Sequence, residues 1–258
     1  FWGVVNGSLL AVEHLKHRGG ALINIGSQVS DHATPLQGIY VASKHAVKGF
    51  TDSLRIELEH EKANVSVTLI KPAAIDTPLI GHAKNYMDKQ ANFPRPVYAP
   101  ELVARAILFA AENPKRDLDV GGAAKLNASA THYTPRLADK YSGRFAIKML
   151  QTDQPRLDNS QNNLYEPRGR LRERQGRSGP VFESSVYTLA TMYTKTTLIV
   201  FGAIGLIALA VLYRKELSRH APALRQRLPT LPLQHTRSTL RKLRTQLPDL
   251  RQHLPSFR

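Results

Sequence analysis

Three side chains near the start of this chain could move a proton: the Ser27 hydroxyl, the Tyr40 phenol and the Lys44 ammonium. Tyr40 and Lys44 stand four residues apart in "YVASKHAVKGF". There and beyond, Val41, Ala42, Ala46, Val47, Phe50, Leu54 and Leu58 recur at helical spacing, so both side chains project from one helix face. A cation beside a phenol favours the ionised ring, which suits a general acid or base working at neutral pH. Thirteen residues before the tyrosine, "ALINIGS" predicts a short buried strand over Ala21 to Ile25, ending in Gly26 and Ser27. Open α/β sheets put their chemistry at such strand ends. The bland alternatives are a core tyrosine, a serine that caps its loop and a solvated lysine, as Lys48 is expected to be.

The elements that must hold these groups are legible on both sides. "FWGVVNGSLLAVEHLKHR" carries Val4, Val5, Leu9, Val12 and Leu15 at helical spacing and is stopped by Gly19 and Gly20. The Tyr40 helix is expected from Gly38 to His60, with Arg55, Glu57, Glu59 and Glu61 on its outer face. Val65 to Ile70 predicts a buried parallel strand that runs into Pro72, and 76–96 is irregular and amphipathic. "APELVARAILFAAENP" predicts a helix with Pro100 in its first turn and Glu101 on the amino-terminal dipole, and "DLDVGG" a last short strand.

The order strand-Ser27, spacer, Tyr40-x-x-x-Lys44, then "VSVTLI" running into "KPAAIDTP", resembles the active-site half of the short-chain dehydrogenase/reductase family. The resemblance implies an α/β fold, a Rossmann-like doubly wound parallel sheet truncated at its amino end, with residues 1–150 as a partial catalytic domain. The family's Gly-rich phosphate turn has no match in the chain, and the Asn that completes its catalytic tetrad would fall just before Phe1. The chain alone is therefore expected to be inactive. For the completed protein the resemblance implies an NAD(P)-dependent oxidoreductase that reduces a carbonyl or oxidises a secondary alcohol. Tyr40 would be its general acid, Lys44 would also bond the nicotinamide ribose, and Ser27 would hold the substrate oxygen. Pro72, Ile75 and Thr77 match the family's cofactor turn, with Ala73 in place of the usual glycine, and 76–96 corresponds to the segment that closes over substrate. NADP is preferred over NAD. Family members pair as homodimers or tetramers through the helices that carry "FWGVV" and "YVASK".

Composition bounds the rest. The chain has 258 residues, no cysteine and a formal net charge of +16. A disulfide framework and thiolate metal sites are thereby excluded, and the ten histidines show no metal spacing. Residues 151–195 are rich in Asn, Gln, Arg, Pro and Gly and are expected to be a flexible polar linker. Residues 196–213 are eighteen uncharged residues between Lys195 and Arg214, expected to be a transmembrane helix. Residues 214–258 form a basic tail, eleven Lys/Arg against Glu216 and Asp249, with leucines between the arginines. That pattern predicts membrane lipid as a partner, an apolar substrate and a membrane location, single-pass or interfacial, with the catalytic domain facing the cytoplasm. No nucleic-acid partner is expected, since the tail lacks interleaved aromatics. Asp31 and His32 near Ser27 could mimic a hydrolase triad, but "NIGSQVS" lacks the G-x-S-x-G elbow. The alternative function is a non-catalytic, membrane-anchored remnant or interaction protein acting through its basic tail.

Overall fold

Helix α1 (Trp2–Arg18) ends at Gly19, whose φ of 74° lies in the left-handed region that glycine tolerates, and β1 (Gly20–Ile25) begins at once. A 3-10 turn over Gln28–Ser30 leads to α2 (Gly38–His60). Then come β2 (Val65–Pro72), β3 (Ala74–Ile75), α3 (Leu79–His82), β4 (Lys89–Ala91), β5 (Val97–Tyr98), α4 (Pro100–Glu112) and β6 (Asp117–Val120). The remaining elements are α5 (Gly122–Tyr133), α6 (Pro135–Tyr141), α7 (Ile147–Met149), β7 (Gln151–Pro155), β8 (Val181–Phe182), α8 (Val186–Met192) and α9 (Thr194–Leu212). The computed structural model of the protein describes residues 1–156, 162–167, 172–175 and 179–212. The chain divides into two units, Phe1–Thr197 and Leu198–Arg258.

In the first unit β1, β2 and β6 form a parallel sheet in the order β1-β2-β6, with Ile25 opposite Ile70 and Pro72 opposite Val120. The central strand β2 is buried from Val67 to Lys71, covered on both faces, with Thr68 and Lys71 buried among its apolar residues. Its side chains alternate between two cores. Val67 packs with Val12, Leu54 and Leu58 under α1 and α2, whereas Ile70 packs with Leu102, Ala106, Ala110, Leu118, Val120 and Met192 under α4 and α8. Helices thus cover both faces, the α/β arrangement expected. A fully bonded polar chain ties α1, β1 and α2 together. Ser8 Oγ donates to Asn24 Oδ1 (3.2 Å), Asn24 Nδ2 donates to Thr51 Oγ1 (3.0 Å), and Thr51 Oγ1 donates to the Val47 carbonyl (2.7 Å).

Parts of the segment expected to be a flexible polar linker form described elements of the first unit. β7 pairs antiparallel with β4, and β8 adds to a second parallel sheet in the order β3-β5-β8. From α8, the Thr188 hydroxyl accepts the Gly121 amide at 2.9 Å. These residues have little apolar surface of their own, but their backbone groups bond partners far away in sequence. Arg55, expected on the charged outer face of α2, instead lies inward, its side chain 14% exposed. It donates to the carbonyls of Val67 and Arg116 and pairs with Asp52.

The expected membrane span, 196–213, is not supported: among the described residues no helix is long and apolar enough to cross a membrane. Helix α9 opens with Thr194, Lys195, Thr196 and Thr197. Membrane lipid as a partner loses that support. Residue 213 and the basic tail 214–258 lie outside the described residues.

Gly121 joins β6 to α5 at φ 95°, and a Cβ added there would stand 2.6 Å from Tyr98 Cε2 and 3.0 Å from Ala73 Cβ. Backbone strain and overpacking act together, so Gly121→Ala is expected to cost on the order of 3 kcal/mol. The midpoint of urea unfolding checks this, and an unchanged midpoint would contradict it.

Candidate active site

Gly26 closes β1 by donating its amide to the Ile70 carbonyl at 2.8 Å, and the next residue is Ser27. A capping box holds Ser27: its Oγ accepts the Val29 amide (3.3 Å), and the Ser30 Oγ accepts the Ser27 amide (3.1 Å). A Cβ at Gly26 would fall 2.9 Å from Ser30 Oγ and 3.1 Å from Leu69 Cδ1, so glycine at this position keeps the box intact. The Ser27 hydroxyl accepts one hydrogen bond and donates none to the described residues, which leaves its hydrogen for a ligand.

One turn apart on α2, Tyr40 and Lys44 face the end of β1. Lys44 Nζ donates to the Ile25 carbonyl at 3.0 Å and lies 5.9 Å from the centre of the Tyr40 ring. Burial lowers the pKa of the Lys44 ammonium. The Tyr40 side chain reaches solvent, with the residue 40% exposed. Beyond β2 the chain turns tightly: the Ala73 amide donates to the Val120 carbonyl, Asp76 to Tyr98 and Thr77 to Ile75. In a parallel ladder alternate residues bond across, so with the Asp76 amide on β5 the Ile75 N–H points to the opposite side.

All the residues singled out from the sequence, Ser27, Tyr40, Lys44, Pro72, Ile75 and Thr77, line a single cavity of about 940 Å³. Its remaining wall comes from residues of 25–39, from Ala73 and Ala74, from residues of 79–94, from α4 and from Leu150, and among the described residues no Asp or Glu lines it.

The charged groups nearby were not legible as a set. Asp31, just past the 3-10 turn, is gripped by Lys48 and by Lys71, the latter at 2.6 Å, and Lys71 Nζ also meets Asp119 at 3.2 Å. The side chains of Lys71 and Asp119 are only 6% and 8% exposed. Burial by itself would raise the Asp31 carboxyl, but the hydrogen bonds from Lys48 and Lys71 outweigh it and hold Asp31 below the ordinary carboxylate value. Burial would likewise lower the Lys71 ammonium, yet the bond to Asp31 and the charges of Asp119, Asp31 and Asp117 leave it raised. Lys48 is therefore engaged, not solvated. The available signal was a lysine inside a buried strand, "VSVTLIKP", together with two aspartates inside "DLDV". This pairing also removes the hydrolase alternative, because Asp31 is committed to two lysines. His32 is buried with Nδ1 unpartnered, and burial lowers its pKa.

Residues 1–87 match the short chain dehydrogenase family. An uncharacterized oxidoreductase of Bacillus subtilis (strain 168), YxnA, is 43% identical over 194 residues, covering 74% of this chain and 54% of that protein. A putative oxidoreductase of Mycobacterium tuberculosis, SadH, is 40% identical over 84 residues, covering 32% of this chain and 30% of its own length. The chain thus spans about half, or less, of the curated relatives it matches. Among solved structures, a short chain dehydrogenase from Burkholderia cenocepacia J2315 in complex with NADP is 26% identical, covers 55% of each chain and has a TM-score of 0.46. The residues that carry the strand end, the Ser27 turn and the Tyr40–Lys44 helix thus lie within the part of the chain that is similar to the short chain dehydrogenase family.

Proposed function

We propose that the protein is an NAD(P)-dependent oxidoreductase that interconverts a carbonyl and a secondary alcohol. The observation that carries this reading is the convergence of Ser27, Tyr40 and Lys44 on one cavity whose wall holds no carboxylate. The nicotinamide end of a dinucleotide fits that wall. Lys44 Nζ uses one of its three donor hydrogens on Ile25 O and keeps two for ribose hydroxyls, while Ile75 and Thr77 lie on the same cavity. When bound, the nicotinamide supplies or accepts the hydride.

The chain's own residues handle the oxygen and its proton. Ser27 donates its unused O–H to the carbonyl oxygen and stabilises the charge that develops there. In reduction the Tyr40 O–H bond breaks, its proton goes to that oxygen, and the phenolate left behind is stabilised by the Lys44 ammonium. Alcohol oxidation runs these steps backwards. Trp2, Leu10, Ile39 and Ile56, exposed on α1 and α2, support self-association through those helices.

The test uses protein expressed from the complete reading frame, given a panel of aldehydes and ketones with NADPH or NADH. Carbonyl-dependent consumption of reduced nicotinamide is expected, and the ratio of kcat/KM for the two cofactors decides between NADP and NAD. No consumption with either cofactor, and no cofactor binding by calorimetry, would overturn the proposal.

A further inference from the structure

The part of the cavity away from Ser27 and Tyr40 has a chemistry of its own. Ile80, Met87, Phe93, Ile107 and Leu150 make an apolar wall long enough for an extended chain. The cations on the cavity's surface are Lys44, already bonded to Ile25, and Lys84. Lys84 is exposed and makes no hydrogen bond or ion pair with the described residues. An exposed lysine without a partner is ordinary on a convex surface. On the wall of a concave, largely apolar cavity with no acidic residue, it leaves an uncompensated positive charge that favours an anion.

The backbone on either side of Lys84 is held in place. The Ala83 amide donates to the Leu79 carbonyl (2.9 Å). Asn85 Oδ1 accepts the Met87 amide and its Nδ2 donates to the Lys89 carbonyl, both at 2.9 Å. From the distant segment, the Asn163 amide donates to the His82 carbonyl at 2.8 Å. The attachment point of the Lys84 side chain on the cavity wall is thus fixed by the fold.

We infer that the substrate is an amphiphile with an aliphatic body along Ile80, Phe93, Ile107 and Leu150 and a carboxylate paired with Lys84. A carboxylate is neutralised by one ammonium, whereas a phosphate dianion paired with Lys84 alone would leave a negative charge uncompensated against a largely apolar wall. The inference rests on the redox reading only for where the reacting carbon sits.

The test is calorimetric binding of decanoate and of decanol, in the absence of nicotinamide, to the protein from the complete reading frame. Decanoate is expected to bind about tenfold tighter, as a partly solvated charge-assisted contact gives. Lys84→Met should remove that preference and leave decanol binding unchanged. Lys125→Met, an exposed lysine off the cavity wall, should keep it. Equal binding of the two probes, or a preference that survives Lys84→Met, would overturn the inference. So would a Lys84→Met protein that keeps its decanoate preference but binds NADPH more weakly, since the cation would then serve a cofactor phosphate. Failure of the two proposals is distinguishable. Turnover of uncharged ketones with no carboxylate preference sinks this inference alone, whereas a Lys84-dependent preference without nicotinamide turnover sinks the redox reading alone.

Discussion

Tyr40→Phe is expected to lower carbonyl reduction by about a thousandfold, the middle of the range for loss of a general acid, while cofactor affinity changes by no more than a few-fold. The substitution removes one oxygen from a ring that is 40% exposed and leaves the Lys44 bond to Ile25 O in place, so stability should hardly move. The loss should appear in kcat, because the proton moves in the transition state and contributes little to ground-state binding. Steady-state kinetics, with cofactor binding measured separately, check this. A variant that keeps most of its turnover would remove Tyr40 from the proton transfer.

Lys71→Met should be the most damaging change to stability among the charged residues. Lys71 joins Asp31 at 2.6 Å and Asp119 at 3.2 Å with its own side chain 6% exposed, and Asp119 has no other salt bridge among the described residues. Removing the cation leaves a buried carboxylate uncompensated, a loss of about 3–5 kcal/mol. Asp119→Leu added to Lys71→Met should recover much of this, because an apolar pair of similar volume needs no desolvation. The pH dependence has a definite sign. Asp31 is held below its ordinary value, so its share of the stability is present above an unfolded pKa of about 3.9 and is lost as pH falls through the folded value. Lys71 is held above its ordinary value, so its share is present below about 10.4 and is lost as pH rises through the folded value. The gap between wild type and Lys71→Met should therefore be widest from about pH 5 to 9 and narrow in acid and in strong base. Urea unfolding at about pH 2.5, 7 and 11.5, well outside both unfolded values, measures it, and a gap independent of pH would contradict the ion-pair account.

The Ser27 turn shows how a local reading and a tertiary one meet. Its place after a strand was visible in "ALINIGS", but the reason for Gly26 was not. The atoms that a Cβ would strike there include Leu69 Cδ1, 43 residues away in sequence, as well as Ser30 Oγ. Arg55 was misread for a similar cause. Helical spacing puts it near the charged face of α2, yet the carbonyls of Val67 and Arg116 lie within its reach and draw it inward. The segment after Leu150 was read as a linker because its apolar content is low. Within it, Gln151–Pro155 and Val181–Phe182 pair with β4 and β5 through backbone bonds that carry no local signature.

What the sequence determined by itself is what short-range periodicity encodes. That covers α1, α2 and α4, the strands β1 and β2, and the four-residue step that puts Tyr40 and Lys44 on one face; β2 is buried as expected, whereas β1 is half-buried with only Asn24 buried, because β2 is its sole strand partner among the described residues. Hydrophobic repeat and side-chain spacing are properties of neighbouring residues, so no knowledge of the fold is needed. Only the tertiary structure decided that Lys71, Asp31 and Asp119 form one buried cluster, that 151–195 belongs to the first unit, and that Lys84 shares a cavity with Tyr40. Those outcomes depend on chain closure over tens of residues, where charge and backbone hydrogen bonding choose partners that no local pattern specifies.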